Sequence, residues 1–184
     1  SIWIGTFGNG LNRYDLKTKE VTHYPNFKDP ESGVEMEVPW WASVTREGML
    51  WIGYWRGLYR IDPLPRNIPY FETGNPVTQI FTDNLGMLWY GSDEGLVRKD
   101  RQSGKEQRFV HEEGNRRSLS NNRIGALFQD SRGLMWIGTG NGLNQFDPKT
   151  NSFKLESFNS EGDSTLITYG IGAIHEDRQG SFWF

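Results

Sequence analysis

The chain of 184 residues contains no cysteine, so it has neither disulfides nor a thiol nucleophile, and its redox compartment is left open. No window approaches the roughly 18 consecutive apolar residues of a membrane-spanning helix. Charge of one sign is scarce as well. Twenty Lys and Arg against 23 Asp and Glu leave a net charge of −3, scattered along the chain, whereas a nucleic-acid binder should show a basic face. No Gly-x-Ser-x-Gly supplies a nucleophile. His23, His111 and His175 lie in separate stretches without the spacing of metal ligands, so neither a metal nor a cofactor is expected.

What the chain does hold is aromatic residues and glycine. Aromatic side chains make up 14% of the chain although all hydrophobic residues reach only 35%, and there are 22 glycines. That combination suits short strands and tight turns better than long helices. Trp3, Trp51, Trp89, Trp136 and Trp183 recur at spacings of 48, 38, 47 and 47. A unit repeating every 40–50 residues or so signals a propeller or a solenoid.

The clearest copy of the unit runs from Asp130 to Asp147. An Asp-x-x-Gly turn (Asp130 to Gly133) leads into an apolar strand, Met135-Trp136-Ile137-Gly138-Thr139. A Gly-Asn-Gly turn then leads into Gly142-Leu143-Asn144-Gln145-Phe146-Asp147. Asp83, Asp130 and Asp177 stand six residues before a Trp, with Gly86, Gly133 and Gly180 three before it. An Asp side chain that accepts backbone N–H groups, and a Gly that supplies positive φ, account for both positions. Thr45 takes the Asp place in the second unit, where a hydroxyl does the same more weakly.

Each full unit therefore predicts four strands: one before the Asp-x-x-Gly turn, the Trp strand, the Gly-Leu strand and an outer strand. Apolar Trp strands call for burial on both faces, which four-stranded sheets stacked around an axis provide. The small residues Ala42-Ser43, Gly125-Ala126 and Gly172-Ala173 let inner strands crowd that axis. The expected fold is all-β, a β-propeller fragment of four-stranded antiparallel blades amounting to about four blade equivalents. Residues 1–184 form one propeller region, with blade-like units at 1–24, 40–72, 77–111, 123–158 and, in part, 170–184. Residues 25–39 read as a long loop punctuated by Pro30 and Gly33.

The segment Ser118-Leu119-Ser120-Asn121-Asn122-Arg123-Ile124, with Asp130, Gly133, Trp136-Ile137-Gly138-Thr139 and Gly142 to Asp147, resembles the two-component regulator propeller repeats. The pattern recurs, with substitutions, over nearly the whole chain. The resemblance implies a periplasmic sensor region of a Bacteroides-type hybrid two-component system, extracytoplasmic and anchored in the inner membrane. Its partners would be an oligosaccharide or other small ligand, the remaining blades, and the kinase-linked domains of the same protein. Family propellers are usually seven-bladed, and this chain opens inside one blade and closes inside another. It is therefore expected to be a piece of a larger propeller, or to complete a ring as a homodimer. The segment itself is expected not to be an enzyme. The alternatives are a propeller enzyme (a lyase or glycoside hydrolase) and a non-catalytic protein-interaction scaffold, among which fold alone does not choose.

The recurring Trp and Asp residues are required by architecture and carry no ligand information. Gly138 to Gly142 superficially resembles a nucleotide loop, but a strand follows it and no helix N-terminus meets a phosphate. Function is expected where the repeat is broken. Trp40 stands at the entry of an inner strand, beside the long loop. Tyr54, Trp55 and Arg56 replace the small residues after the Trp strand, and strand order brings that turn and the outer-to-inner connections to one face. Aromatic rings with Arg nearby suit sugar rings and their hydroxyls; the alternative is that these side chains pack under the long loop or against a missing blade. Arg116 and Arg117, in the loop Glu112 to Asn122, are candidates to meet an acidic sugar. The loop Asn159 to Tyr169 is expected on the same face.

Overall fold

The computed structural model describes all residues except 7–9, 25–26, 29–34, 37–40, 46–47, 55–56, 62–69 and 157–168. Its described residues contain strands and turns and no helix. They fall into two compact units, Ser1–Val77 and Thr78–Phe184.

In the first unit, β1 (Ile2–Gly5), β2 (Leu11–Tyr14) and β3 (Val21–Tyr24) form an antiparallel sheet in chain order. A four-stranded antiparallel sheet follows, from β6 (Trp41–Val44), β7 (Leu50–Gly53), β8 (Gly57–Ile61) and β9 (Tyr70–Glu72). Between the two sheets lie β4 (Phe27–Lys28) and β5 (Glu35–Met36), which pair Phe27 with Met36 and Lys28 with Glu35. This corrects the expectation of a plain loop over residues 25–39. The backbone groups of these two short arms find partners in each other. The core of this unit gathers Leu11, Leu50, Ile52, Tyr54, Tyr59 and Ile61, with Trp3 and Tyr24 packed against it.

The second unit repeats the four-stranded plan twice. One sheet is β10 (Gln79–Thr82), β11 (Leu88–Ser92), β12 (Gly95–Lys99) and β13 (Glu106–Phe109). The next is β14 (Ile124–Gln129), β15 (Met135–Thr139), β16 (Gly142–Asp147) and β17 (Ser152–Leu155). Last comes a two-stranded ladder of β18 (His175–Glu176) and β19 (Phe182–Trp183). The sequence suggests a longer β18, starting at Ile171. Instead, Ile171 turns its N–H to the Thr139 carbonyl at 2.9 Å, which leaves residues 171–174 outside the ladder.

The Trp strands β7, β11 and β15 are buried almost throughout, and at about 1.5–3 kcal/mol per large apolar side chain they dominate the stabilising burial. Between the sheets of the second unit lie Trp89, Leu96, Phe109, Leu119, Ile124, Met135, Ile137, Phe146 and Phe153. Arg98 places its guanidinium 5.6 Å from the Trp89 ring and 5.3 Å from that of Phe146, so a cation is accepted among rings whose π faces attract it.

Glycine after Trp-Ile or Trp-Tyr has a packing cause. A Cβ on Gly91 would lie 2.5 Å from Cβ of Ile124, and one on Gly138 would lie 2.7 Å from Cγ2 of Ile171. In both cases the isoleucine that leads into the next sheet sits directly on the glycine. Polar latches reinforce the same stacking. Gln129 accepts the Asn84 N–H at 2.8 Å and donates to its Oδ1 at 3.1 Å. Glu176, at the equivalent place, accepts the Ser131 N–H at 2.7 Å and its hydroxyl at 2.8 Å.

Candidate functional site

The Asp-x-x-Gly turn proves to be a clasp that includes the Trp. One oxygen of Asp130 accepts the N–H groups of Arg132 and Leu134 at 3.0 and 2.8 Å, and the other accepts the Trp136 indole N–H at 3.1 Å. Asp83 does the same for Leu85, Met87 and Trp89, and Asp177 for Gln179, Ser181 and Trp183. The Gly133 φ of 85° closes the turn, a conformation glycine adopts without steric cost. Burial pushes the Asp130 carboxyl up, but the Arg132 guanidinium, the Trp136 indole and the Leu134 N–H outweigh it and hold the carboxyl below its usual range. These aspartates belong to the sheet scaffold, as their one-per-turn distribution implies.

A second aspartate recurs unnoticed in the sequence, at the turn into the outer strand. Asp15 accepts the N–H groups of Lys17 and Thr18, Asp100 those of Gln102 and Ser103, and Asp147 that of Lys149 plus the Thr150 hydroxyl. Their regular place eleven or twelve residues after a Trp is the signal that marks them.

The cleft suited to a ligand lies in the second unit, where the connection from β13 to β14 meets the β15–β16 turn. It holds about 260 Å³, and the side chains that bear chemistry around it are His111, Glu112, Asn115, Arg116, Ser120 and Asn141. Leu119 and Leu155 line it with aliphatic carbon. The cleft, which Ser118 also lines, thus offers a guanidinium, a carboxylate, two amides, an imidazole and two hydroxyls beside aliphatic carbon. Such a set hydrogen-bonds a polyhydroxylated molecule from several directions.

The loop that carries these groups is tightly held. Glu112 and Ser118 close on each other through the Glu112 N–H and Ser118 Oγ at 3.0 Å, and Asn115 Nδ2 donates to the Glu112 carboxylate at 2.7 Å. Phe153 donates its N–H to the Arg117 carbonyl at 2.8 Å. The His111 Nδ1–H donates to the Leu119 carbonyl at 2.7 Å, so in the neutral ring Nε2 is the basic nitrogen. Leu119 is buried in the core, which plugs the loop into the sheets beneath it. A second cleft, of about 290 Å³, runs along Arg123, Gly125, Thr139, Gly140 and residues 170–172. Its polar side chains are Arg123 and Thr139, and the rest of its lining is glycine and Ile171.

The residues singled out from the sequence end in different places. Arg116 lines the cleft; Arg117 is its exposed neighbour, with its backbone bonded to β17. Tyr54 is 1% exposed and belongs to the core of the first unit, its ring 5.3 Å from that of Tyr59 and edge-on to it. Tyr59 in turn donates its hydroxyl to the Lys28 carbonyl in β4 at 2.7 Å. Tyr54 is thus a core side chain of the first unit. Burial first, and then Tyr59, push its phenol well above the usual range. Trp40, Trp55 and Arg56 lie outside the described residues, as does most of the loop 159–169. His111 and Glu112 were not singled out; their only sequence signal is their place in the same loop as Arg116.

Among the described residues no group of three or more His, Asp or Glu could hold a metal ion, and no helix is long and apolar enough to cross a membrane. Residues 118–141 match the two component regulator propeller family, and no curated protein matches the chain. Several solved structures share its fold. Two extracellular domains of hybrid two component systems from B. thetaiotaomicron superpose with a TM-score of 0.72 each, at 24% and 21% identity, over 98% of this chain. The chain spans about a quarter of their length, 23% and 24% respectively. Virginiamycin B lyase from Staphylococcus aureus superposes with a TM-score of 0.67 at 16% identity, covering 96% of this chain and 56% of the lyase. The fold is thus that of a β-propeller fragment built from four-stranded antiparallel blades.

Proposed function

We propose, from the premise that residues 118–141 are a two component regulator propeller repeat, that this chain belongs to the extracytoplasmic sensor of a hybrid two-component system. It binds an oligosaccharide released from a glycan, and the bound state is passed on to a histidine kinase through other domains of the same protein. The observation that carries the reading is that the matched repeat contributes to the polar cleft: Ser118, Leu119, Ser120 and Asn141 line it together with His111, Glu112, Asn115 and Arg116 from just before the repeat. The shared fold with extracellular domains of hybrid two component systems supports the same assignment. Arg116 is the principal charged contact, with Arg117 beside it. Trp40, Trp55 and Arg56 are proposed as further contacts on the strength of their place in the sequence.

The test is calorimetric titration of the chain with a panel of neutral and acidic oligosaccharides, with the products analysed after each titration. Binding without turnover is expected. Arg116→Ala should weaken it by about tenfold or more, the worth of a hydrogen bond to a charged group, and Trp55→Ala should weaken it as well. A panel that never binds would sink the sensor reading.

A lyase is the second reading, favoured by one observation. The basic Nε2 of His111 is defined by the Nδ1 hydrogen bond to Leu119, and Glu112 stands next to it at the cleft. A positioned imidazole with a neighbouring carboxylate is the equipment of general acid–base chemistry. Product formation that is lost in His111→Gln would establish this reading over the first.

A further inference from the structure

We infer that Asn144 is the positioning residue for the cleft, and that its place in the repeat, eight residues after the strand Trp, is where each blade selects how its incoming connection is held. The role of the cleft rests on the ligand-binding reading above; the positioning itself does not.

Asn144 is wholly buried and touches no ligand position. Its Oδ1 accepts the Ser120 N–H at 3.0 Å, and its Nδ2 donates to Ser120 Oγ at 2.8 Å. Ser120 Oγ also meets Thr139 Oγ1 at 2.8 Å, and Thr139 Oγ1 accepts the Asn141 N–H at 3.1 Å. Two residues of the cleft lining, one from the incoming loop and one from the β15–β16 turn, are thereby tied to a single buried amide. A buried amide with both ends bonded is worth keeping only if its partners stay in place, because each lost partner leaves an unsatisfied polar group.

Two of the other sheets support the position rather than the residue. In β8 the eighth residue after Trp51 is Tyr59, and its hydroxyl also holds the incoming connection, at the Lys28 carbonyl. In β12 it is Val97, buried and apolar. There the incoming connection is short, residues 73–78, compared with 110–123 before β14 and 25–40 before β6. Long connections meet a polar anchor at this position, and the short one meets a methyl surface. Val97 also shows that the sheet tolerates valine here.

Asn144→Val is therefore the decisive variant, examined in the full chain by hydrogen–deuterium exchange. Amides of residues 118–122 should exchange faster by on the order of tenfold, the effect of losing the two hydrogen bonds to Ser120, while those of β15 and β16 keep their protection. Loop amides that exchange as before would overturn the proposal. So would loop and sheet losing protection in step, since Asn144 would then support the sheet as a whole. Asn144→Ser, which can still bond Ser120, should restore part of the loop protection. In the titration with the oligosaccharide panel, Asn144→Val should lose about tenfold in affinity; unchanged affinity with a loosened loop would overturn its role at the cleft. A wild-type chain that binds nothing would remove the sensor reading and leave exchange to decide the positioning.

Discussion

The sheet β6–β9 and the sheet β14–β17 follow one strand plan, yet they solve two local problems differently. In β14–β17, Asp130 closes the turn and also satisfies the Trp136 indole. In β6–β9, Thr45 closes an equivalent turn: Thr45 and Met49 pair backbone to backbone at 2.8 Å, the Gly48 N–H reaches the Thr45 carbonyl at 3.0 Å, and Gly48 has a φ of 85°. Among the described residues the Thr45 hydroxyl accepts the Met49 N–H alone, at 3.2 Å, and the buried Trp51 indole N–H has no hydrogen-bond partner. A hydroxyl has one oxygen where a carboxylate has two, so it cannot serve the turn and the indole together. The second difference lies at the turn after the Trp strand. Polar Thr139 and Asn144 in one sheet correspond to the edge-on rings of Tyr54 and Tyr59 in the other. A repeat thus conserves its backbone plan while exchanging the chemistry that anchors its loops.

The strongest way to break the contrast is to remove the better clasp. Asp130→Ala leaves two turn N–H groups and the Trp136 indole without their acceptor and should cost about 2–4 kcal/mol in denaturant unfolding. Thr45→Ala should cost about 1 kcal/mol. Equal losses would mean that the indole bond contributes nothing.

The same carboxylates should set the acid limit of the fold. Asp130 is held below its usual range as described, and Asp177 through the Trp183 indole and the Ser181 N–H. Backbone N–H groups hold Asp15 and Asp100 low; for Asp147 the Thr150 hydroxyl and the Lys149 N–H do so. A carboxyl with a lower pKa in the folded than in the unfolded chain stabilises the fold fully above the unfolded value. That contribution disappears as pH falls through the folded value. Stability should therefore decline below about pH 4. Asp130→Asn should both lower stability at pH 7 and flatten the acid slope, whereas Thr45→Val should leave the slope unchanged. A slope that ignores Asp130→Asn would locate the acid sensitivity elsewhere.

Much of the scaffold was legible because it repeats. The Asp-x-x-Gly turn, the Trp strand and the four-strand order follow from residues at fixed offsets, and strand order alone brings the incoming connection and the β15–β16 turn to one cleft. The indole bond was missed although its signal was present: Asp six residues before Trp is close in space only once the turn folds the strand back. The glycine before Thr139 was visible as a pattern, but its cause, Ile171 seated on Gly138, depends on how neighbouring sheets stack. The site was less legible for a different reason. Tyr54 departs from the repeat just as a ligand contact would, yet it is buried in the core of the first unit with its ring edge-on to Tyr59. A broken pattern reports that something differs locally; burial decides whether the difference faces a ligand or a neighbour. His111 and Glu112 break no pattern at all, since the loop that presents them is not part of the repeating strands.

Sharpening the contrast means giving the weaker turn what it lacks. Thr45→Asp places a second acceptor oxygen within a turn whose backbone bonds already match those of Asp83, where Gly86 reaches the Asp83 carbonyl at 3.0 Å with a φ of 80°. Capturing the Trp51 indole should raise stability by about 1 kcal/mol; a loss would mean that burying the new charge outweighs the bond it makes.

The smallest effect is expected at the aromatic pair. Tyr59→Phe removes a single oxygen and leaves the ring, so the edge-on contact with Tyr54 and the burial in the core persist. The donation to the Lys28 carbonyl is lost, and because Lys28 is exposed, water can replace the donor. Net destabilisation should be about 0.5–1 kcal/mol, near the limit of a denaturation curve. Amide exchange is the sharper measurement: residues 27–28 and 35–36 should lose protection while β7 and β8 keep theirs. If Tyr59→Phe leaves the β4–β5 ladder as protected as before, the ladder holds itself by its own pairing. The tyrosine would then be a core ring with an incidental hydroxyl, and the parallel with Asn144 would hold for position alone.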